Sequence, residues 1–266
     1  MKNTTLLSVL TILLISLGAV SVSAGGYEDM VLVPGGEFVM GSSTGETDER
    51  PEHRVFVKDF FIDRFEVTND KYAAFLNKVG NQPEGGAYYL FVGSADCRID
   101  EIRGAFIVQE GYGDHPVTMV TYYGAEAYAK WAGKRLPTEA EWEKAARGGL
   151  TDRKYPWGND IDTLSANYGR RRMGTTPVGS FAPNGFGLYD MAGNVAEMVG
   201  DYYDGRYYRS SPSADPKGPE TGEVRVVRGG SWLSGPVGVG VWVREDGVLP
   251  YITLPNVGFR CVKGAR

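Results

Sequence analysis

Cysteine and histidine are almost missing from this chain: two of each, Cys97, Cys261, His53 and His115, stand among 266 residues. None of the four sits at the close spacing of a tetrahedral zinc centre, so a Cys/His metal site is excluded. Positive charge is also short. Lysine and arginine number 28 against 33 acidic residues, a net charge of −5 with a pI near 5.2, and this excludes the basic face a nucleic-acid partner requires. Repeats, low-complexity blocks and linker-like stretches are missing too. Apolar runs are confined to Leu6–Val20, which follows Lys2 and precedes the small residues Val22, Ser23 and Ala24. That order is expected of a signal peptide over residues 1–24. The run falls short of the roughly 20 residues that span a bilayer, and no cysteine follows it to carry a lipid, so no membrane span is expected in the mature chain. The expectation is an exported protein, periplasmic or secreted, with one domain over 25–266.

What is abundant is glycine, 37 residues, and tyrosine, 16. They predict a domain of tight turns and loops held by aromatic packing rather than by long helices. Val31–Val33, the turn at Pro34-Gly35-Gly36, and Glu37–Met40 read as strand, turn, strand. Val55, Val57, Phe60 and Ile62 alternate as another strand. Thr68 caps a helix with Tyr72, Phe75, Leu76 and Val79 at helical spacing, ended by Gly80. Thr121 caps a second through Trp131. Thr138 with Glu141 makes a capping box for a third through Arg147, whose buried side is Trp142, Ala145 and Ala146. Residues 81–113, rich in glycine and acids and with a strand only at Ala105–Val108, read as a surface insertion. Strands at Val224–Val227 and Val257–Val262 complete an α+β domain.

Several segments then carry a resemblance: Gly35–Gly41, Glu66-Val67-Thr68-Asn69, His115-Pro116-Val117, Trp131–Glu143, Tyr155-Pro156-Trp157-Gly158, Gly187–Val195, Arg228-Gly229-Gly230-Ser231-Trp232 and Gly258-Phe259-Arg260-Cys261. In this order they resemble the sulfatase-modifying-factor family, whose founding member is the formylglycine-generating enzyme. The resemblance runs from about Met30 to Val262. It implies a C-type-lectin-like fold with small twisted antiparallel sheets, two or three helices and much irregular structure, often stabilised by calcium. It also implies an oxidase that holds copper on two cysteines and converts a client cysteine to formylglycine. Those cysteines would fall at Ser234 and Val239, and neither can bind copper(I), which thiolates select. Ser231, Trp232, Ser234 and Val239 are thus degenerate active-site positions. Ser231 and Ser234 are expected to satisfy local backbone groups. A serine nucleophile at Ser234 would need a base such as His115 beside it.

By the same resemblance Asp190, Gly193, Val195 and Glu197 match a calcium loop. The competing reading pairs Asp190 and Glu197 with arginines such as Arg228 or Arg260. Asn167 and Tyr168 match the first half of a second calcium site, but Arg170-Arg171-Arg172 stands where its acidic partner would follow. The usual partner of Cys261 is replaced by Ala129, so either Cys97 and Cys261 form a disulfide or both remain buried thiols. Tyr202, Tyr203, Arg206, Tyr207 and Tyr208 are residue types of recognition surfaces and are expected to border a ligand groove beside Trp232 and Ser234; each could equally pack down as a loop aromatic. The leading functional expectation is an exported binding or accessory domain without the copper oxidase activity. It would engage an exported protein or a small-molecule ligand. The alternatives are a maturation oxidoreductase acting on a peptide or siderophore precursor, and a structural subunit of an envelope complex.

Overall fold

A computed structural model describes residues 29–265; the leader expected at 1–24 lies outside the described residues. In chain order the strands are β1 (Met30–Val33), β2 (Gly36–Met40), β3 (His53–Val57), β4 (Phe60–Asp63), β5 (Pro83–Glu84), β6 (Ala87–Tyr88), β7 (Ile99–Ile102), β8 (Ala105–Val108), β9 (Ala196–Tyr202), β10 (Arg225–Arg228), β11 (Arg244–Val248), β12 (Val257–Gly258) and β13 (Val262–Gly264). The helices are α1 (Asn69–Val79), α2 (Tyr122–Trp131) and α3 (Glu139–Arg147). Each starts where the sequence places its cap. Thr68, Thr121 and Thr138 accept from backbone N–H groups of the first turn, and Glu141 closes the capping box on Thr138.

Two sheets organise the molecule. One has the order β1-β4-β13, and the other the order β11-β10-β9-β12 with β12 parallel to β9. β2 pairs with β3, and two small hairpins, β5–β6 and β7–β8, fill residues 83–108. One core gathers α1, α2 and residues of the β9–β12 sheet around Tyr72, Phe75, Tyr128 and Phe259, whose rings pack at centroid distances of 5.3–6.1 Å. A second surrounds Trp142 of α3 with Val33, Phe60, Ile62, Val199 and Val226. A third, smaller cluster of Tyr155, Ala166, Tyr168, Ala192 and Val239 underlies the loops near the candidate site.

The structure departs from the sequence reading at several points: the strand read through Val55, Val57, Phe60 and Ile62 is two strands of different sheets, β3 and β4, and the one read over Val257–Val262 divides into β12 and β13. Residues 81–113 are not a mere surface excursion: Leu90, Cys97, Ile99 and Phe106 enter the first core, and Asn77 of α1 bonds both backbone groups of Phe106. Helix α3 has no solvent face, since all nine of its residues are buried, the charged ones included. Of the two readings left open for the cysteines the structure has the second: Cys97 and Cys261 are free buried thiols, with Cys97 Sγ donating to the Ile99 carbonyl at 3.3 Å.

Candidate functional site

The loop after β10 is shaped by two glycines. Gly229 and Gly230 have φ of +89° and +61°, a region costly for residues with a Cβ. A Cβ on Gly229 would also lie 2.9 Å from the Trp142 ring. The chain then turns through Ser231–Ser234. Ser234 Oγ accepts from Ser231 N at 3.0 Å, Leu233 N donates to Ser231 Oγ at 3.3 Å, and Asn256 Nδ2 donates to the same oxygen at 3.1 Å. Both hydroxyls therefore hold the turn.

Asn194 anchors the loop from beneath, in the left-handed region at φ +58°. Its carbonyl accepts from Trp232 N at 2.9 Å, and its own N–H donates to the Asn167 carbonyl at 2.8 Å. Its side chain donates to Glu66 Oε2 at 2.6 Å and accepts from Thr176 N at 2.9 Å. From above, Gly169 N donates to the Ser234 carbonyl at 2.8 Å and Arg170 N to the Trp232 carbonyl at 2.6 Å. Trp232 is thus held from two sides, yet among the described residues its buried indole Nε1 has no hydrogen-bond partner, nor has Asn167 Oδ1.

This geometry does not supply the chemistry of an activated serine. His115 Nδ1 pairs with Thr175 Oγ1 at 2.9 Å, its ring packs on Tyr112, and burial lowers its pKa. Ser234 is bonded to Ser231 instead, so the hydrogen bond between nucleophile and base is not made. Val239 is fully buried among apolar side chains. A hydroxyl and a buried isopropyl group do not fit copper(I).

The two carboxylates of the calcium reading are already engaged. Glu197 is held by Arg260, with Nη2 at 2.7 Å from one oxygen and Nε at 2.8 Å from the other, and it accepts from Trp142 Nε1 at 2.8 Å. Asp190 Oδ2 accepts from Gly179 N at 2.7 Å, and burial raises its pKa to about 6. Glu66 lies in the same region and is pushed up by burial, then by Asp190 and Glu197. With Glu197 neutralised by a guanidinium, the side chains of the set Asp190, Gly193, Val195 and Glu197 offer a dication at most the Asp190 carboxylate. At Asn167 and Tyr168 the unpartnered oxygen suits a cation, but Arg170, Arg171 and Arg172 on the adjoining loop oppose one. Among the described residues no group of three or more His, Cys, Asp or Glu side chains is arranged to hold a metal.

The side chains of the tyrosine segment are engaged in hydrogen bonds and packing. Tyr208 is buried and donates to Glu139 at 3.2 Å, Tyr203 donates to Asp48 at 2.9 Å, and Tyr207 opens a short 3-10 turn behind exposed Arg206. Tyr202 stacks on Arg225, which is sandwiched between Tyr202 and Tyr122 at 3.5 and 4.1 Å. These rings pack down because an ionic network lies beneath them. Arg228 bridges Glu139 and Glu143 at 3.2 and 2.6 Å, and Arg244 pairs with Glu139 at 2.7 Å. Sequence reasoning missed this network and the role of Asn194. The available signal was the run of charges in an otherwise buried helix, Glu139, Glu141, Glu143 and Arg147.

Small sheets, three short helices and a glycine-built tryptophan loop define a protein of the formylglycine-generating-enzyme type, with the C-type-lectin-like fold. Residues 19–265 match the family of the sulfatase-modifying factor enzyme 1-like domain, and the chain belongs to that family. It is 37% identical over 279 residues to the formylglycine-generating enzyme of Streptomyces coelicolor, covering 88% of this chain and 89% of that protein. It is 42% identical over 242 residues to the serine/threonine-protein kinase pkn1 of Chlamydia caviae, covering 90% of this chain but 38% of the kinase. The chain therefore spans little more than a third of that relative's length. The structure of PvdO from Pseudomonas aeruginosa superposes with a TM-score of 0.70 at 30% identity, over 90% of this chain and 97% of that one. Among the described residues no helix is long and apolar enough to cross a membrane.

Proposed function

We propose that this protein is an exported member of the family that acts as a binding or accessory domain and does not carry out copper-dependent oxidation of cysteine to formylglycine. The observation that carries the reading is the pair Ser234 and Val239. One is a hydroxyl used to hold its own turn and the other an apolar side chain closed off from solvent. Without thiolates there is no soft donor pair to retain copper(I) while oxygen is reduced. The rest of the scaffold is kept, which supports selection for a surface rather than for that reaction. Similarity to about a third of a kinase supports the same reading, that of a module used beside other activities. Export rests on the signal peptide expected over residues 1–24.

The test is direct. The purified chain is incubated with copper(I), dioxygen and a Cys-x-Pro-x-Arg peptide, and the peptide is followed by mass spectrometry for loss of the thiol and appearance of the aldehyde. The expected yield equals that of a protein-free control. Aldehyde formed in proportion to protein overturns the reading.

A further inference from the structure

Resting on that reading, we propose that the loop carrying Arg170, Arg171 and Arg172, together with the rim of the Trp232–Ser234 turn, is a docking surface for an acidic peptide segment of a partner protein. The first ground is charge. In a chain of net charge −5, three consecutive arginines are exposed, and no ion pair found among the described residues involves any of them. The arginines of the buried network, by contrast, are all paired. Asp162, an acid close by in sequence, is occupied by Ser165 Oγ at 2.7 Å and Leu164 N at 2.9 Å.

The second ground is that this loop is rigidly attached to the candidate site. Gly169 and Arg170 donate to the Ser234 and Trp232 carbonyls, and Asn167 Nδ2 closes the loop on the Gly174 carbonyl at 2.9 Å. Two guanidiniums are further steadied on aromatic faces, Arg171 over Tyr168 at 5.6 Å and Arg172 over Phe181 at 5.2 Å. Such stacking leaves the N–H edges of each fork free to meet carboxylates and lowers the ordering cost of binding. The segment that continues from Ser234 is fixed farther on, where Val241 N donates to the Lys154 carbonyl at 2.9 Å.

The third ground concerns the partner's form. Met173, 82% exposed, follows Arg172 directly, and Val237 on the segment after Ser234 is 68% exposed. Consecutive cations with exposed apolar side chains on the same two segments suit an extended peptide that carries both acidic and apolar residues. A membrane surface is disfavoured, because lipid-binding clusters carry about four to eight basic residues and this face belongs to a net-negative protein.

The experiment measures fluorescence anisotropy of a labelled peptide of alternating glutamate and leucine, of its glutamine counterpart, and sedimentation with phosphatidylglycerol vesicles. The acidic peptide is expected to bind at least tenfold more tightly than the glutamine peptide, and its affinity to fall steeply with added salt. The triple variant Arg170→Ser, Arg171→Ser, Arg172→Ser is expected to lose at least tenfold, with the melting temperature checked on the same sample. Arg171→Ser alone serves if the triple variant does not fold, with an expected loss of about threefold. Equal binding of the two peptides, salt-independent affinity, full retention of affinity in the arginine variants, or binding to vesicles only would each overturn the proposal. Aldehyde formation in the copper assay would remove the accessory reading while leaving these affinities intact. Absence of peptide binding with no aldehyde formed would remove this surface alone.

Discussion

At the scale of single residues, Asn194 does more to place the candidate site than any serine in it. Its side chain bonds Glu66, Thr176 and Asn167, and its backbone links Asn167 to Trp232. Asn194→Ala would leave several buried groups unpaired and put a Cβ without a local hydrogen bond in the left-handed region. A loss of about 3–5 kcal/mol follows from those two costs. Asn194→Gly keeps the backbone conformation and should lose about 1 kcal/mol less. Urea unfolding of the two variants checks both numbers, and equal losses would mean the backbone cost is negligible. The sequence marks Gly193-Asn194 as a turn but says nothing of these partners, because Glu66 is 128 residues away. Ser234 was more legible: the absence of a thiol is visible in the letters alone.

Helix α3 shows both what patterns reveal and where they stop. Its capping box and the apolar set Trp142, Ala145 and Ala146 are local, so spacing finds them. The burial of Glu139 and Glu143 depends on Arg228 and Arg244, which arrive from 85 to 105 residues away. In residues 83–108 only β8 was legible; β5, β6 and β7, strands of two to four residues, are too short to display a period. β9 contributes a different consequence through Asp201, which is buried and receives Glu139 N at 2.9 Å. Burial, then the nearby Glu139, raises its pKa well above 3.8. A raised acid binds its proton more tightly in the folded state. Its stabilising contribution is therefore complete below pH 3.8 and is lost as pH rises through the folded value. Asp201→Asn keeps the acceptor for Glu139 N and removes the charge. Its stability relative to wild type should rise from pH 4 to pH 8, by about 1 kcal/mol or more. A pH series of urea midpoints tests this, and a flat or falling difference would refute it.

For the whole molecule, the fold was legible because its motifs follow one another in order, and the function less so because the site's usual chemistry is subtracted. The cation question belongs at this scale. With Arg260 neutralising Glu197 and arginines beside Asn167, the fold is expected to stand without calcium. A melting temperature unchanged between EDTA and millimolar calcium chloride is the expected result, and a rise of several degrees with calcium would show a linked site. The last strands carry one more consequence. β12 pairs with β9 of one sheet, and four residues later β13 pairs with β4 of the other. Between them Phe259 and Arg260 are fully buried. A chain emerging in order from its N-terminus would thus hold both sheets unfinished until the segment 257–264 is free. Closure of both sheets is therefore tied to one short segment of the chain.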